Sequence, residues 1–222
     1  MWLMSAKTEK WLPTVQLDLT RPHRFSDRLK EIDLFFRKKD PVHATMNRLA
    51  RRLEKAGISH AIMGGMAVNA HRYVRTTGDV DFLLTPEGFA AFKRLFVPRY
   101  YERLPGAPRK FRDRKSKVKV GSLVTGLYPG SGKPGPIAFP DPTEVCETID
   151  KHQVVDLLTL VQLKLAARRH RDFADVVELI LYNDLDESYG KKLHPSVRSD
   201  FIECLEEKRR EDEYEARKSP FD

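Results

Sequence analysis

The chain has 222 residues, enough for one well-filled domain or one domain with appendages, and its 40 Lys and Arg outweigh 32 Asp and Glu to give a net charge of +8. With 41% hydrophobic and 32% charged residues, it offers no apolar run near the roughly 20 residues of a helical bilayer crossing, which excludes that class. Cys146 and Cys204 are too far apart for a metal knuckle or a disulfide framework, and Met1–Met4 is soon followed by Lys7, Glu9 and Lys10, unlike a signal peptide. A soluble, cytoplasmic protein without membrane contact is expected. A sequence pI near 9.4 favours anionic partners such as nucleotide phosphates or RNA.

Residues 1–42 read as an N-terminal extension punctuated by Pro13, Pro22 and Pro41, with a short helix over Ser26–Lys38. A helix from His43 to Ala56 follows, its Met46, Leu49, Ala50 and Leu53 at helical spacing and Gly57 at the C′ position. Ile58–Met63 is apolar enough for a strand, Met66–Tyr73 for a short helix, and Val80–Thr85 for a second strand. Thr85-Pro86-Glu87 opens another helix with an N-cap, an N1 proline and a first-turn acid. Residues 98–116 are basic and weakly periodic, either a solvated hairpin or loop or a substrate-facing surface. Lys117–Thr125 alternates as a third strand, with Lys119, Gly121, Leu123 and Thr125 on one face.

The Gly/Pro-rich segment from Gly126 to Pro136 is a loop, and its Gly132-Lys133-Pro134 lacks the Ser/Thr of a P-loop. Val154–Leu158 reads as a last short strand or extended segment. Thr159-x-x-Gln162 has the form of a capping box opening a helix. Pro195–Lys218 is a highly charged terminal helix whose part from Glu206 to Arg217 has little to bury. The expected units are 1–42, an extension; 43–158, a catalytic-type core; and 159–222, a C-terminal helical region with a charged tail.

Two segments carry the chemistry. Gly64-Gly65 closes the first strand, and thirteen residues later Asp79-Val80-Asp81 enters the second. On a strand, i and i+2 share a face, so both aspartates point one way while Val80 points into the core. Two adjacent carboxylates repel unless a cation lies between them or one takes a proton. A divalent ion such as Mg²⁺ accepts hard oxygen ligands and often brings substrate phosphates with it. The glycines allow a tight turn into a helix start, where backbone N–H groups can meet a phosphate.

This glycine pair, spacing and D-V-D strand resemble the signature of the DNA polymerase β-like nucleotidyltransferase superfamily. The wording M-G-G-M-A-V-N-A-H…R-T-T-G-D-V-D-F-L-L is similar to minimal nucleotidyltransferases of the AbiEii (abortive-infection toxin) type, over residues 44–182. The resemblance implies an α+β nucleotidyltransferase fold: a small mixed sheet backed by helices, with a C-terminal helical part closing one side of a cleft. It implies Mg²⁺ or Mn²⁺ on Asp79 and Asp81, ATP or another NTP as substrate, and Gly64, Gly65, Arg75, Thr76 and Lys164 as candidate nucleotide contacts. The implied reaction moves a nucleoside monophosphate to a hydroxyl on RNA, protein or a small molecule, in a toxin-like protein with a cognate antitoxin.

One departure stands out. Relatives place a third carboxylate on the next strand, where this chain has Gly121 between Lys119 and Leu123. Asp113, Asp141 or Glu144 would have to substitute, or the chain is a nucleotide- or RNA-binding relative without transfer; restoring the acid with Gly121→Asp is expected to create or raise activity. The second motif, Lys164…Arg168…Arg171-Asp172…Asp175, puts all five residues along one stripe if a single helix carries them, with Arg168–Asp172 and Arg171–Asp175 as i,i+4 pairs. There Lys164 is the candidate triphosphate contact and the acids are structural. His71 is expected to be a surface or packing residue.

Overall fold

The computed structural model describes residues 25–218. Its elements are α1 (Phe25–Phe36), α2 (Pro41–Lys55), β1 (His60–Met63), α3 (Gly64–Ala70), β2 (Asp79–Leu84), α4 (Pro86–Phe96), β3 (Tyr101–Leu104), β4 (Ala107–Asp113), β5 (Lys119–Val124), β6 (Cys146–Ile149), β7 (His152–Val155), α5 (Leu157–Ala167), α6 (His170–Tyr182), α7 (Glu187–Lys192) and α8 (Arg198–Lys218), with a 3₁₀ turn at Pro195–Val197. The strands form one seven-stranded sheet in the order β3-β4-β5-β2-β1-β7-β6. β2 pairs parallel with β5 and β1 with β7, and the other neighbours are antiparallel. The class is α+β, with a mixed sheet backed by helices and a C-terminal helical part.

Strand alternation divides the sheet into two unlike faces. Val80, Phe82, Val120 and Phe111 are buried on one, where Phe92 of α4 packs against Phe111 and Tyr101 with ring centroids 5.1 and 5.3 Å apart. Burying each such ring contributes about 1.5–3 kcal/mol. Over β1 and β7 the other face lies under α3, which abuts α5. Over β2, β5 and β4 that face carries Asp79, Asp81, Lys119, Gly121, Lys110 and Arg112. The site is on that face.

Several local expectations meet their physical cause. α2 begins at Pro41 because Asp40 caps it, accepting from the amides of Val42 (2.7 Å) and His43 (3.2 Å). Gly57 is left-handed at φ +64°, the C′ conformation expected of it. Thr85 Oγ1 accepts from Gly88 N at 3.0 Å. Of the expected N-terminal extension, residues 1–24 lie outside the described range; within the remainder, Phe35 of α1 is buried. The end of α8 is exposed as expected.

Two readings need correction, one is made specific and one condition fails. The short helix starts at Gly64, not Met66, and the glycine pair lies inside its first turn. Residues 98–116 hold a hairpin, β3–β4, one of the two forms expected, mostly solvated but with Tyr101, Phe111 and Asp113 buried. Thr159 is not the cap of α5: Asp156 is, accepting from Thr159 N at 2.8 Å, because Leu157 and Leu158 already belong to the helix. The single helix on which the stripe of 164–175 depends does not form, since Arg168 turns left-handed (φ 54°) and separates α5 from α6.

Candidate active site

The glycines and aspartates interlock. Asp81 lies in register with Met63 on β1 and with Gly121 on β5. A Cβ on Gly64 would lie 2.5 Å from Asp81 Oδ2, and one on Gly121 would lie 2.0 Å from Asp81 Oδ1. The Asp81 carboxylate therefore occupies space that only two missing side chains leave open, and Gly64 is in addition left-handed at φ +64°. Gly65 has a different task. A Cβ there would meet Thr77 Oγ1 at 2.8 Å, and that hydroxyl donates to Asp79 Oδ1 at 3.0 Å. One glycine makes room for Asp81; its neighbour makes room for the threonine that orients Asp79.

The electrostatics follow from that fit. Asp81 is half-buried and its carboxyl is pushed up to about 6, first by burial and then by the negative charge of Asp79, against opposing fields from Lys110, Arg169 and Lys164. Asp79 is exposed. A carboxyl raised by burial beside a second acid attracts a proton or a cation. Among the described residues no group of three or more His, Cys, Asp or Glu gathers to hold a metal, so an all-protein cage is absent from them. A Mg²⁺ that keeps waters and takes one or two carboxylates plus substrate phosphates needs no such cage, and Asp79 with Asp81 fits that donor set.

The second motif folds differently from the stripe. The turn at Arg168 brings α6 back against α5, and Lys164 becomes buried with its ammonium 2.6 Å from Asp175 Oδ2 and 3.3 Å from Asp172 Oδ1. Arg75 donates twice to Asp175, at 2.5 and 2.7 Å, and Arg169 donates to Asp172 at 2.5 and 3.1 Å. The i,i+4 pairs do not form: Arg168 reaches Asp200 instead, at 2.8 Å. Lys164 and Arg75 are thus committed to carboxylates in one chain of ion pairs that ties the loop before β2 to α5 and α6. Thr76 is exposed beside the site.

None of the proposed substitute acids reaches Gly121. Asp113 is buried on the other face of β4, its Oδ1 accepting from Arg48, Ser116 Oγ and the amides of Lys115 and Ser116. Asp141 is bound to Thr143 in the loop whose Pro140 carbonyl accepts from Thr125, four residues along β5, about 13 Å at strand rise. Glu144 is exposed in the same loop. What occupies the place of a third carboxylate is Asp81 itself, leaning over Gly121. His71 is a packing residue, its Nε2 donating to the Val155 carbonyl at 2.7 Å.

Three site residues escape sequence reasoning. Thr77 is next to the candidate Thr76, but its bond to Asp79 needs the loop's path. Arg169 is within the field of Asp81 and Asp79 only because the helix breaks before it. Lys110 pairs with Gly121 across β4 and β5, as Gly121 pairs with Asp81, and register of that kind is not written in local spacing.

No protein-family model and no curated protein matches this sequence. Among solved structures, the chain is similar to an antigenic nucleotidyltransferase-like protein from Paracoccidioides brasiliensis, at 18% identity and a TM-score of 0.39 over 62% of this chain and 74% of that one. It is also similar to ANT(2")-Ia in complex with adenylyl-2"-tobramycin, at 11% identity and a TM-score of 0.46 over 73% of this chain and 97% of that one.

Proposed function

We propose that this chain is a Mg²⁺-dependent nucleotidyltransferase, which moves a nucleoside monophosphate from an NTP to an acceptor hydroxyl. The observation that carries this reading is the seat of Asp81 between Gly64 and Gly121, with Asp79 beside it on the same open face. Asp79 and Asp81 would hold the metal, which when bound neutralises phosphate charge and polarises the α-phosphoryl group. Thr77 keeps Asp79 oriented, and the uncapped start of α3 at Gly64–Gly65 leaves backbone close to where phosphates lie. Arg169, with its side chain 71% exposed, adds positive charge at the rim.

In the transfer, the acceptor oxygen bonds to the α-phosphorus as the bond from that phosphorus to the bridging oxygen breaks. Pyrophosphate leaves and the hydroxyl proton goes to water. The direct test is incubation with labelled NTPs and Mg²⁺ or Mn²⁺ in the presence of total RNA and of protein, with Asp79→Ala as control. Transfer lost in the variant supports the proposal.

A second reading is favoured by Gly121: with no third carboxylate, the chain binds the metal-nucleotide and does not transfer. Metal-dependent NTP binding without any labelled product selects it. The toxin-like assignment with a cognate antitoxin rests on the M-G-G-M-A-V-N-A-H wording alone. Growth arrest on expression, relieved by Asp79→Ala, is its test.

A further inference from the structure

A second hollow adjoins the site and nothing above uses it. It is a cleft of about 620 Å³ at the N-terminal ends of the central strands β2 and β5, between those strands and the helices α1 and α2. Its size falls in the range of small-molecule sites. Thr76, Thr77, Gly78 and Asp79 form one side, so the cleft opens beside the acid pair. Its walls are largely apolar: Phe35 and Val42 from the helices, Val118 from the approach to β5, and Ile32, an isoleucine 42% exposed. Asp40 also lines it, but that carboxylate is engaged by the α2 amides and by His43 at 2.5 Å. Glu31 stands on the α1 wall.

The rim has the opposite character. Lys117, Lys119 and Arg171 border the cleft and are exposed. Two in-register rows then continue across the open face: Asp79–Lys119–Arg112 and Asp81–Gly121–Lys110. Because directly paired residues share a face, each acid looks along a row toward a cation two strands away. Gly121 contributes no side chain to block the second row.

A largely apolar hollow of this size, beside Lys119, Lys110 and an Arg112 shared with Glu102 at 3.6 Å, matches a base and its backbone phosphates. It does not match a polycationic acceptor, which Lys110, Arg112, Lys117 and Lys119 would repel. We infer that the acceptor is a single nucleic-acid strand, its terminal nucleoside seated in this cleft with the hydroxyl toward Asp79 and its phosphates lying over Lys119, Arg112 and Lys110. This rests on the transferase reading and names its acceptor.

The test measures strand binding without NTP. Anisotropy of a short labelled single strand, in ribo and deoxyribo forms with free 3′ ends, is recorded against salt for the wild type, for Lys110→Glu/Lys119→Glu, and for Gly78→Trp. Gly78 lines the cleft and has no atom within 4 Å of an added Cβ, so a bulky side chain there crowds the cleft's wall with no clash at its first atom. Mg²⁺-ATP binding of each protein is followed separately. The charge-reversed pair is expected to bind the strand about tenfold or more weakly, with its log–log salt slope reduced by about two. Gly78→Trp is expected to lose strand binding and keep ATP binding. The ribo and deoxyribo arms decide which sugar the cleft takes.

Strand binding equal in all three proteins overturns the inference, as does label moved to protein and never to a strand. ATP binding absent from the wild type sinks the transferase reading instead, whatever the strand does.

Discussion

Asp81→Asn is expected to make the metal-free protein more stable while removing its function. The Asp81 carboxyl rises from an ordinary 3.8 to about 6 in the fold, through burial first and Asp79 second. Across that interval the native state binds more protons than the unfolded one, so stability falls as pH rises from about 4 to about 6. At about 1.36 kcal/mol per pH unit, the loss above pH 6 is at most about 3 kcal/mol, an upper bound because Asp81 keeps part of its surface in water. Asparagine has the same shape and no charge, so it recovers this amount above pH 6 and nothing near pH 4. For a chain of this size the gain is at most roughly 6–12 °C in Tm. Thermal and urea unfolding with chelator at pH 4 and pH 8 measure it. Added Mg²⁺ and NTP should then raise the wild type and leave the variant unchanged. A variant less stable than wild type at pH 8, or a gain equal at both pH values, would refute the reasoning.

Other substitutions read different parts of the account. Gly121→Asp, the change the sequence pattern recommends for restoring a third acid, is expected to lower metal-dependent nucleotide binding instead, because any Cβ there falls 2.0 Å from Asp81 Oδ1 and must displace it; titration with Mn²⁺ and a labelled nucleotide checks this, and Gly121→Ala should behave alike. Lys164→Met leaves Asp172 and Asp175 buried with one cation fewer and is expected to cost about 3–5 kcal/mol by urea unfolding. Nucleotide affinity in the folded fraction should be nearly unchanged, since the ammonium is engaged by carboxylates; a selective loss of affinity in a fully stable protein would restore Lys164 as a phosphate contact. Thr77→Val removes the donor to Asp79 Oδ1 and is expected to weaken metal-dependent nucleotide binding by about 1–2 kcal/mol, or some five- to thirtyfold, with little change in Tm.

What could be read from sequence is what depends on neighbours in the chain. Asp79 and Asp81 share a face because period two is local, and Gly57, Thr85 and Pro86 mark helix ends by chemistry that acts within one turn. The sheet order and the Asp81–Gly121–Lys110 row were not legible, because strand register is decided by packing among distant segments. The Lys164 stripe failed for a related reason: Arg168 has no local signal for a left-handed turn, yet that turn converts surface i,i+4 pairs into a buried network with Arg75, a hundred residues away in sequence. Gly121 looked like a missing acid; in three dimensions it is space that Asp81 fills.

The most direct measurement is Mn²⁺ electron paramagnetic resonance, titrating the protein with Mn²⁺ in the presence of a non-hydrolysable NTP analogue at pH 8. If both carboxylates grip one ion together with the nucleotide, the wild type immobilises Mn²⁺ only when the analogue is present, and neither Asp79→Ala nor Asp81→Asn does so. Equal Mn²⁺ signals from wild type and both variants, in proteins shown to be folded, would contradict the account.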